Sequence, residues 1–440
     1  MRIVIAGGGV GGFSLAGFLA NSKHQVTIFE SSESLDSMRY DWHDDASPKV
    51  FNELGIAIPE GSHPKNNCLF VSPFNKGTMY IEQPKEGCDL AMERRPLNKI
   101  LYDRINPENV IFGAKVTKAI VTKGAVTGCE VVYSNGNKEK IFCDLLIDSA
   151  GAQSSVRKSL PPELHIQNII PPSELFYAYR GFFNKAEGVT LTDTDNKVYM
   201  KHLGEQGISW CFNNHDKNSL NVLIGRIGEL KKDTMDKAMA DIRKDNKGLG
   251  NNLLRGGGVY CIPVRRPLSR LVANGYAAIG DCACMTIPMI GSGIASSITA
   301  AKILANVLAN AKDAKIETLW KYNYEVFKAF GVAHCGVDYT KRWMLKQSND
   351  MINWLFTSGI LAPDDLQQSS SGATSAISPK ALMKKLAVGL KSLSNFGKVL
   401  SMLTSSKKAG KIGDAIPEKY DEAAINAWEQ NLEKQYAVFE

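Results

Sequence analysis

The chain has no C-x-x-C pair and no cysteine–histidine cluster at zinc spacing; its nine cysteines are scattered and its histidines number seven. A zinc finger and a thioredoxin-like redox pair are thereby excluded. Only Cys282 and Cys284 lie close together, and a C-x-C in an apolar loop reads as small packing residues. No stretch approaches the roughly 18 uncharged apolar residues that a membrane span needs. No charged stretch precedes the first apolar run, which itself reads as a strand, so no secretory leader is expected and a reduced cytoplasm is the expected location. Arginine and acids are both missing between Leu366 and Gly413, where eight lysines stand and aromatics are almost absent. Such a segment does not suit a nucleic-acid reader. What remains is a globular chain of 440 residues, 44% hydrophobic, long enough for two or three domains.

The most informative segment is the first thirty residues. Arg2 to Ala6 is a short apolar run of strand length, and Gly7, Gly9 and Gly12 fill G-x-G-x-x-G where that strand must turn into a helix. The first glycine permits the tight turn, the second lets backbone approach a pyrophosphate, and the third lets helix and strand pack closely. The pyrophosphate then sits on N–H groups at the positive end of the helix, which Val10 and Gly11 open. Gln25 to Phe29 reads as the second strand, and Glu30 at its end can accept from both ribose hydroxyls while repelling a 2′-phosphate. No second strand-linked fingerprint follows, because Gly256-Gly257-Gly258 precedes a strand. One dinucleotide site is expected, with no dedicated nicotinamide domain.

Further along, Pro48 to Leu54 and Arg94 to Ile105 read as helices, 68 to 83 as β-rich, and 110 to 147 as a three-stranded antiparallel meander. Val116, in that meander, is a further candidate cofactor contact. Residues 166 to 225 read as a second sheet and Lys231 to Asp245 as a charged helix. The strand Tyr276 to Ile279 and the helix from about Gly293 to Asn310 restore the α/β pattern, and beyond Thr318 the chain is helical apart from a Ser/Gly-rich break at Gln367 to Ser378. The expected architecture is α/β: a Rossmann-type domain with a parallel sheet and meander (1–65, 90–165 and 262–318), and a substrate domain with a mixed or antiparallel sheet (66–89 and 166–261). A C-terminal helical region (319–440) completes it.

Around Tyr276 the chain reads NGYAAIGDCACMTIPMIGSGIASS. This segment resembles the FAD-dependent oxidoreductases of the para-hydroxybenzoate hydroxylase fold, in which G-D…P-x-x-G-x-G holds the flavin ribityl and lies against its ring. The resemblance implies FAD as cofactor and Gly280, Asp281, Pro288, Gly291, Gly293 and Ile294 as its contacts. It also matches Arg94, with Leu97 and Leu101, to the family's Arg-x-x-Leu helix start, with Arg95 as the register alternative. A third signature, D-G-x-x-S-x-V-R, appears here with Ala150 in place of the acid. That departure disfavours an NADPH-dependent monooxygenase. Residues 207 to 225 resemble the Y-x-W-x-F-P stretch of the geranylgeranyl reductase-like group, with Ile208, Trp210 and Phe212 in the aromatic places and Asn213 for the proline. The resemblance makes Trp210, Phe212 and Tyr260 candidate substrate contacts, and Trp210 also a candidate catalytic residue. The alternative reading of 207 to 213 is an ordinary strand with one face in the core.

For hydride transfer to a carbon–carbon double bond an acid must also be at hand. The segment Tyr40-Asp41-Trp42-His43-Asp44-Asp45 is the densest ionisable cluster of the cofactor domain, and His43 is its candidate proton donor. The alternative is a loop of capping acids before the helix at Pro48. These readings predict a reductase of a hydrophobic, prenyl-type lipid, served by an external donor such as NAD(P)H or a redox protein. A flavin monooxygenase and a flavoprotein that only binds a partner are the rival expectations. Leu382, Leu386, Leu390, Leu393, Phe396, Leu400 and Leu403 form one apolar stripe with lysines mostly off it. Segment 379–411 therefore reads as an amphipathic helix for peripheral contact with the inner membrane face, or as a helix packed on its own domain.

Overall fold

The computed structural model describes residues 1–38, 42–216, 218–370, 385 and 392–439, with the side chains of His43 and 367–370 outside that description. Its first layer is a six-stranded sheet in the order 272–273, 276–278, 145–148, 2–6, 25–29, 110–111. All pairs are parallel except the outermost, Val272–Ala273 with Tyr276–Ala278. The Arg2–Ala6 strand is buried from Ile3 onward, as β-branched runs are in a sheet covered on both faces. Helices Val10–Leu19 and Ile294–Ala309 pack against each other beside this sheet. A meander of Ala114–Thr122, Ala125–Tyr133 and Lys138–Phe142 follows the expected order.

The second layer is a seven-stranded sheet in the order 249–263, 175–185, 219–227, 207–213, 197–200, 68–71, 78–81. It is antiparallel apart from the parallel pair Lys197–Met200 with Cys68–Val71. Gly256 to Gly258 lie inside its 15-residue edge strand Leu249–Pro263, not before a strand as expected. Gly256 (φ +80°) and Gly257 (φ +88°) form a bulge there, a conformation only glycine adopts without strain. His43–Ala46 is likewise a short strand paired with Leu90–Glu93, not a capping loop. Backbone pairing with a neighbour wins over the local turn chemistry of its acids.

Among the described residues the C-terminal region is helical, with helices at Ile316–Val326, Val332–Lys346, Asn349–Thr357, Pro363–Ser370, Leu393–Asp414 and Glu422–Tyr436. The break expected at 367–378 is helical as far as Ser370 and otherwise lies outside the described residues. Charge fixes the last helix to the first layer. Fully buried Arg270 donates to Glu422, Asn426 and Glu429 at 2.7–2.9 Å, and Arg266 pairs with Glu433 at 2.6 Å. The basic segment is corrected in part: its described helix, Leu393–Asp414, packs on Val332–Lys346 and buries Phe396, Met402 and Ala409, while Leu393 and Leu400 stay exposed. Leu382, Leu386 and Leu390 lie outside the described residues. No helix among the described residues is long and apolar enough to cross a membrane.

Candidate active site

One cavity of about 840 Å³ runs from the glycine turn, past the Gly280–Gly293 region, to an apolar chamber walled by the C-terminal helices. Its size lies within the roughly 300–1,000 Å³ of small-molecule and cofactor sites. At its first end the three glycines differ mechanically. A Cβ on Gly7 (φ +98°) would meet the Ser149 carbonyl oxygen at 2.6 Å, and one on Gly12 would meet the Gly7 carbonyl oxygen at 2.1 Å. A Cβ on Gly9 would meet nothing within 4 Å, so that side of the backbone is open to a ligand. Glu30 closes the cradle: its carboxylate accepts from the Gly8 and Ser32 N–H groups, both at 2.8 Å. The residues present therefore fit the pyrophosphate and ribose of a dinucleotide.

In the middle of the cavity Asp281 follows Gly280 (φ +75°), and a Cβ on Gly293 would lie 3.2 Å from its carboxylate. Burial pushes the Asp281 carboxyl up to about 6, with Arg94 opposing and Asp44 reinforcing the shift. Gly293 caps the helix Ile294–Ala309, whose first N–H groups have no partner within the helix. Ser292 ties this loop to the Asp45 carbonyl at 2.8 Å. Arg94 grips Asp44 through Nε at 2.7 Å and Nη2 at 2.8 Å, and Lys65 pairs with Asp45 at 2.9 Å. Burial acts against the Lys65 ammonium, but Asp45 outweighs it and the pKa lies above the ordinary value.

The chamber is built on strand register. Arg180 pairs with Leu223, Leu223 with Trp210, Trp210 with Val198, and Val198 with Phe70, so the five side chains form one transverse row on one face of the seven-stranded sheet. All five line the cavity. Ile208 and Phe212 stand two residues either side of Trp210 and line it too, so the period-2 pattern of this strand faces the cavity. The Trp210 indole N–H donates to Asn221 at 3.1 Å, which fixes the ring's orientation. Opposite, Phe396, Val399, Leu400, Met402 and Leu403 of the C-terminal helix form the far wall.

Of the residues singled out in the sequence, the structure brings Gly7, Gly9, Val10, Gly11, Glu30, Arg94, Val116, Gly280, Asp281, Gly291, Gly293, Ile294, Trp210, Phe212 and Tyr260 to this cavity. Gly12 serves packing behind the turn, and Pro288 lines a separate small cavity of about 70 Å³. His43 is placed by its backbone alone, paired with Glu93, and its side chain lies outside the described residues. Sequence reasoning missed Arg180 and the C-terminal wall. The signal for Arg180 was one cation in the otherwise aromatic run LFYAYRGFF.

The fold and the site define a flavin-dependent oxidoreductase with the para-hydroxybenzoate hydroxylase fold. It superposes on the geranylgeranyl bacteriochlorophyll reductase-like protein of Thermoplasma acidophilum with a TM-score of 0.72 at 18% identity, covering 91% of this chain and 98% of that one. A myxobacterial FAD-dependent chondrochloren halogenase superposes with a TM-score of 0.59 at 15% identity, over 93% of this chain and 96% of its own. In sequence, the chain is 24% identical to the digeranylgeranylglycerophospholipid reductase of Sulfolobus acidocaldarius, over 99% of this chain and 97% of that one. The enzyme of that name from Methanoculleus marisnigri is 26% identical over 58% of this chain and 64% of its own. More particularly, then, the chain is a homologue of the digeranylgeranylglycerophospholipid reductases. No protein-family model matches it.

Proposed function

We propose that this protein is an FAD-dependent reductase that saturates carbon–carbon double bonds of a prenyl-type lipid. One observation carries the reading: the dinucleotide cradle and a long apolar chamber are a single cavity. Full-length similarity to the Sulfolobus acidocaldarius reductase supports it. Reduced flavin, when bound, supplies a hydride to an alkene carbon. Gly7, Gly9, Val10 and Gly11 would hold the pyrophosphate, Glu30 the ribose, and Asp281 with Gly291 and Gly293 the ribityl and ring.

The chain's own residues do the remaining work. Ile208, Trp210 and Phe212 hold the prenyl chain against the flavin side and exclude water, and Trp210 is the side chain we assign closest to the reacting bond. His43 is our candidate for delivering the proton, since the Asp44–Arg94 contact and the pairing with Glu93 hold its backbone beside cavity-lining Trp42. The absence of a second dinucleotide fingerprint calls for a transient external donor, NAD(P)H or a redox protein. Exposed Leu393 and the lysines of Leu393–Asp414 suit lipid uptake at an anionic surface. The halogenase neighbour suits oxygen chemistry instead, but Ala150 stands where the NADPH-dependent monooxygenases keep an acid.

The test is anaerobic. The reduced holoenzyme is mixed with a polyunsaturated prenyl lipid, flavin reoxidation is followed by absorbance, and the product by mass spectrometry. A gain of hydrogen matched to the flavin oxidised is the expected result. No saturated product without oxygen, together with a hydroxylated one when oxygen is admitted, would overturn the reading.

A further inference from the structure

Arg180 is 3% exposed, lines the cavity, and makes no hydrogen bond or ion pair with any described residue; its Nε is buried without a partner. A guanidinium carries five donors and stays charged, so burying it without an oxygen acceptor is costly. Aromatic faces offset part of this: its centre lies 5.0 Å from the Trp210 ring, 5.1 Å from Trp42 and 5.4 Å from Phe182. Rings attract the charge but leave the N–H donors without an oxygen acceptor. The acids nearest in charge are already engaged: Asp44 with Arg94, Asp45 with Lys65, and Glu93 with Arg255 at 2.6 Å. Burial lowers the Arg180 pKa to about 10, which still leaves a full cation at neutral pH.

The backbone around it is built for this placement. The Gly256–Gly257 bulge breaks the ladder directly opposite Arg180 and Gly181, and a Cβ on Gly256 would lie 2.8 Å from the Arg180 carbonyl oxygen. Bulges re-aim side chains beside functional sites. From Arg180 the apolar row Leu223, Trp210, Val198, Phe70 leads away across the sheet. A cation at one end of an apolar trough matches an amphiphile with an oxyanion at one end of an apolar chain.

We propose that Arg180 is the receptor for the anionic head of the substrate, a phosphate or carboxylate held inside the cavity with the chain laid along the Leu223–Trp210–Val198–Phe70 row. This rests on the reductase reading for the identity of the chain, but its test does not depend on turnover. Oxidised full-length holoenzyme is titrated with a short prenyl phosphate, the prenol of the same chain and inorganic phosphate, each as monomers in solution, following the flavin spectrum and calorimetric heat. Wild type is expected to prefer the prenyl phosphate over the prenol by about 10- to 100-fold, the range for a hydrogen bond to a charged group. Arg180→Gln should abolish that preference while prenol affinity changes little, and Arg180→Lys should restore part of it. Equal binding of phosphate and prenol by wild type would overturn the proposal without any variant. So would inorganic phosphate binding as tightly as the prenyl phosphate, or an equal loss for both prenyl ligands in Arg180→Gln. If the reduced enzyme saturates no alkene yet the preference stands, the reductase reading fails and the head-group site survives.

Discussion

Arg94 and Asp44 meet in a two-pronged ion pair, Nε to Oδ2 at 2.7 Å and Nη2 to Oδ1 at 2.8 Å, with Asp44 only 8% exposed. The pair joins the start of the Arg94–Tyr102 helix to the His43–Ala46 strand, and through Ser292 to the Gly291–Gly293 loop. Sequence resemblance points Arg94 at the cofactor, and the structure adds that Asp44 orients it. Asp44→Asn puts a neutral amide where the partly buried guanidinium met a carboxylate, which costs about 3 kcal/mol by the usual penalty for breaking a buried pair. A fall in Tm and weaker FAD retention in dialysis are expected together. An unchanged Tm would show that the pair contributes nothing net.

Gly12 and Gly9 separate packing from binding. A Cβ at Gly12 would collide with backbone, 2.1 Å from the Gly7 carbonyl oxygen, whereas one at Gly9 would meet nothing within 4 Å. Gly12→Ala is therefore expected to lose both thermal stability and flavin, through strain of more than about 2 kcal/mol. Gly9→Ala should fold with near wild-type Tm yet release FAD, because its methyl group enters the space a pyrophosphate needs. The flavin-to-protein absorbance ratio beside a melting curve separates the two. Equal melting losses in both variants would contradict the assignment.

The difference between these two glycines was legible in the sequence, because a strand, a turn and a helix at fixed spacing leave each position one mechanical task. The Trp210 strand was legible for a similar reason: period-2 spacing places Ile208, Trp210 and Phe212 on one face whichever partner they meet. Arg180 was not legible, since its meaning depends on register with Leu223 and on a bulge in a strand some 75 residues later. Nor was the role of Met402, because an apolar stripe does not say whether it meets lipid, a neighbouring helix or a ligand. The His43–Ala46 strand was hidden for the opposite reason: its residues favour caps and turns, and only Leu90–Glu93 makes it a strand.

Asp281 gives the cofactor site a pH dependence. Burial holds its carboxyl at about 6, above the ordinary value of 3.8, so the empty site increasingly carries the neutral acid as pH falls below 6. A ribityl hydroxyl donating to the carboxylate favours the ionised form and lowers the pKa in the complex. The proton is then bound more tightly by the empty site than by the filled one, and FAD affinity must fall as pH drops below 6. The limiting slope is about tenfold per pH unit, and above 6 the curve should flatten. Fluorescence titration of FAD between pH 5 and 8 measures it, with Asp281→Asn expected to give a flat, weaker profile. A wild-type profile that is also flat would remove Asp281 from the ribityl contact.

His334 makes the fold acid-sensitive from within. It sits on the Val332–Lys346 helix at 2% exposure, its Nδ1 has no partner among the described residues, and burial pushes its pKa down to about 4. The unfolded chain takes up a proton near pH 6.5 that the folded chain refuses until about 4, so stability falls as pH drops through that window. By pH 4 the loss amounts to about 3 kcal/mol. Glu422, which the Arg270 hydrogen bond pulls down to about 2, adds a loss in the same direction at lower pH, between its ordinary value of 4.5 and 2. His334→Leu should lessen the loss of Tm between pH 6.5 and 4, where His202, also shifted down by burial, keeps its own share, and leave the fall below 4.5. A variant as acid-sensitive as wild type across the upper window would refute the role of His334.

Met402 tests whether the C-terminal helix is a wall of the substrate chamber. It is buried at 8% exposure and lines the same cavity as Val399, Leu403 and the Trp210 row. Met402→Trp adds an aromatic ring on the Leu393–Asp414 helix, which supplies none of the residues assigned to FAD. FAD content is therefore expected to stay at the wild-type level, and short prenyl substrates should be reduced at nearly the wild-type rate. Long prenyl chains lose the room for their tail, and their kcat/KM should fall by about 10-fold or more, the cost of one to three kcal/mol of overpacking. Met402→Ala provides the converse, with long chains accepted and short ones held more loosely by the loss of contact area. Identical chain-length profiles in wild type and both variants would place the substrate elsewhere and leave the helix a packing element only.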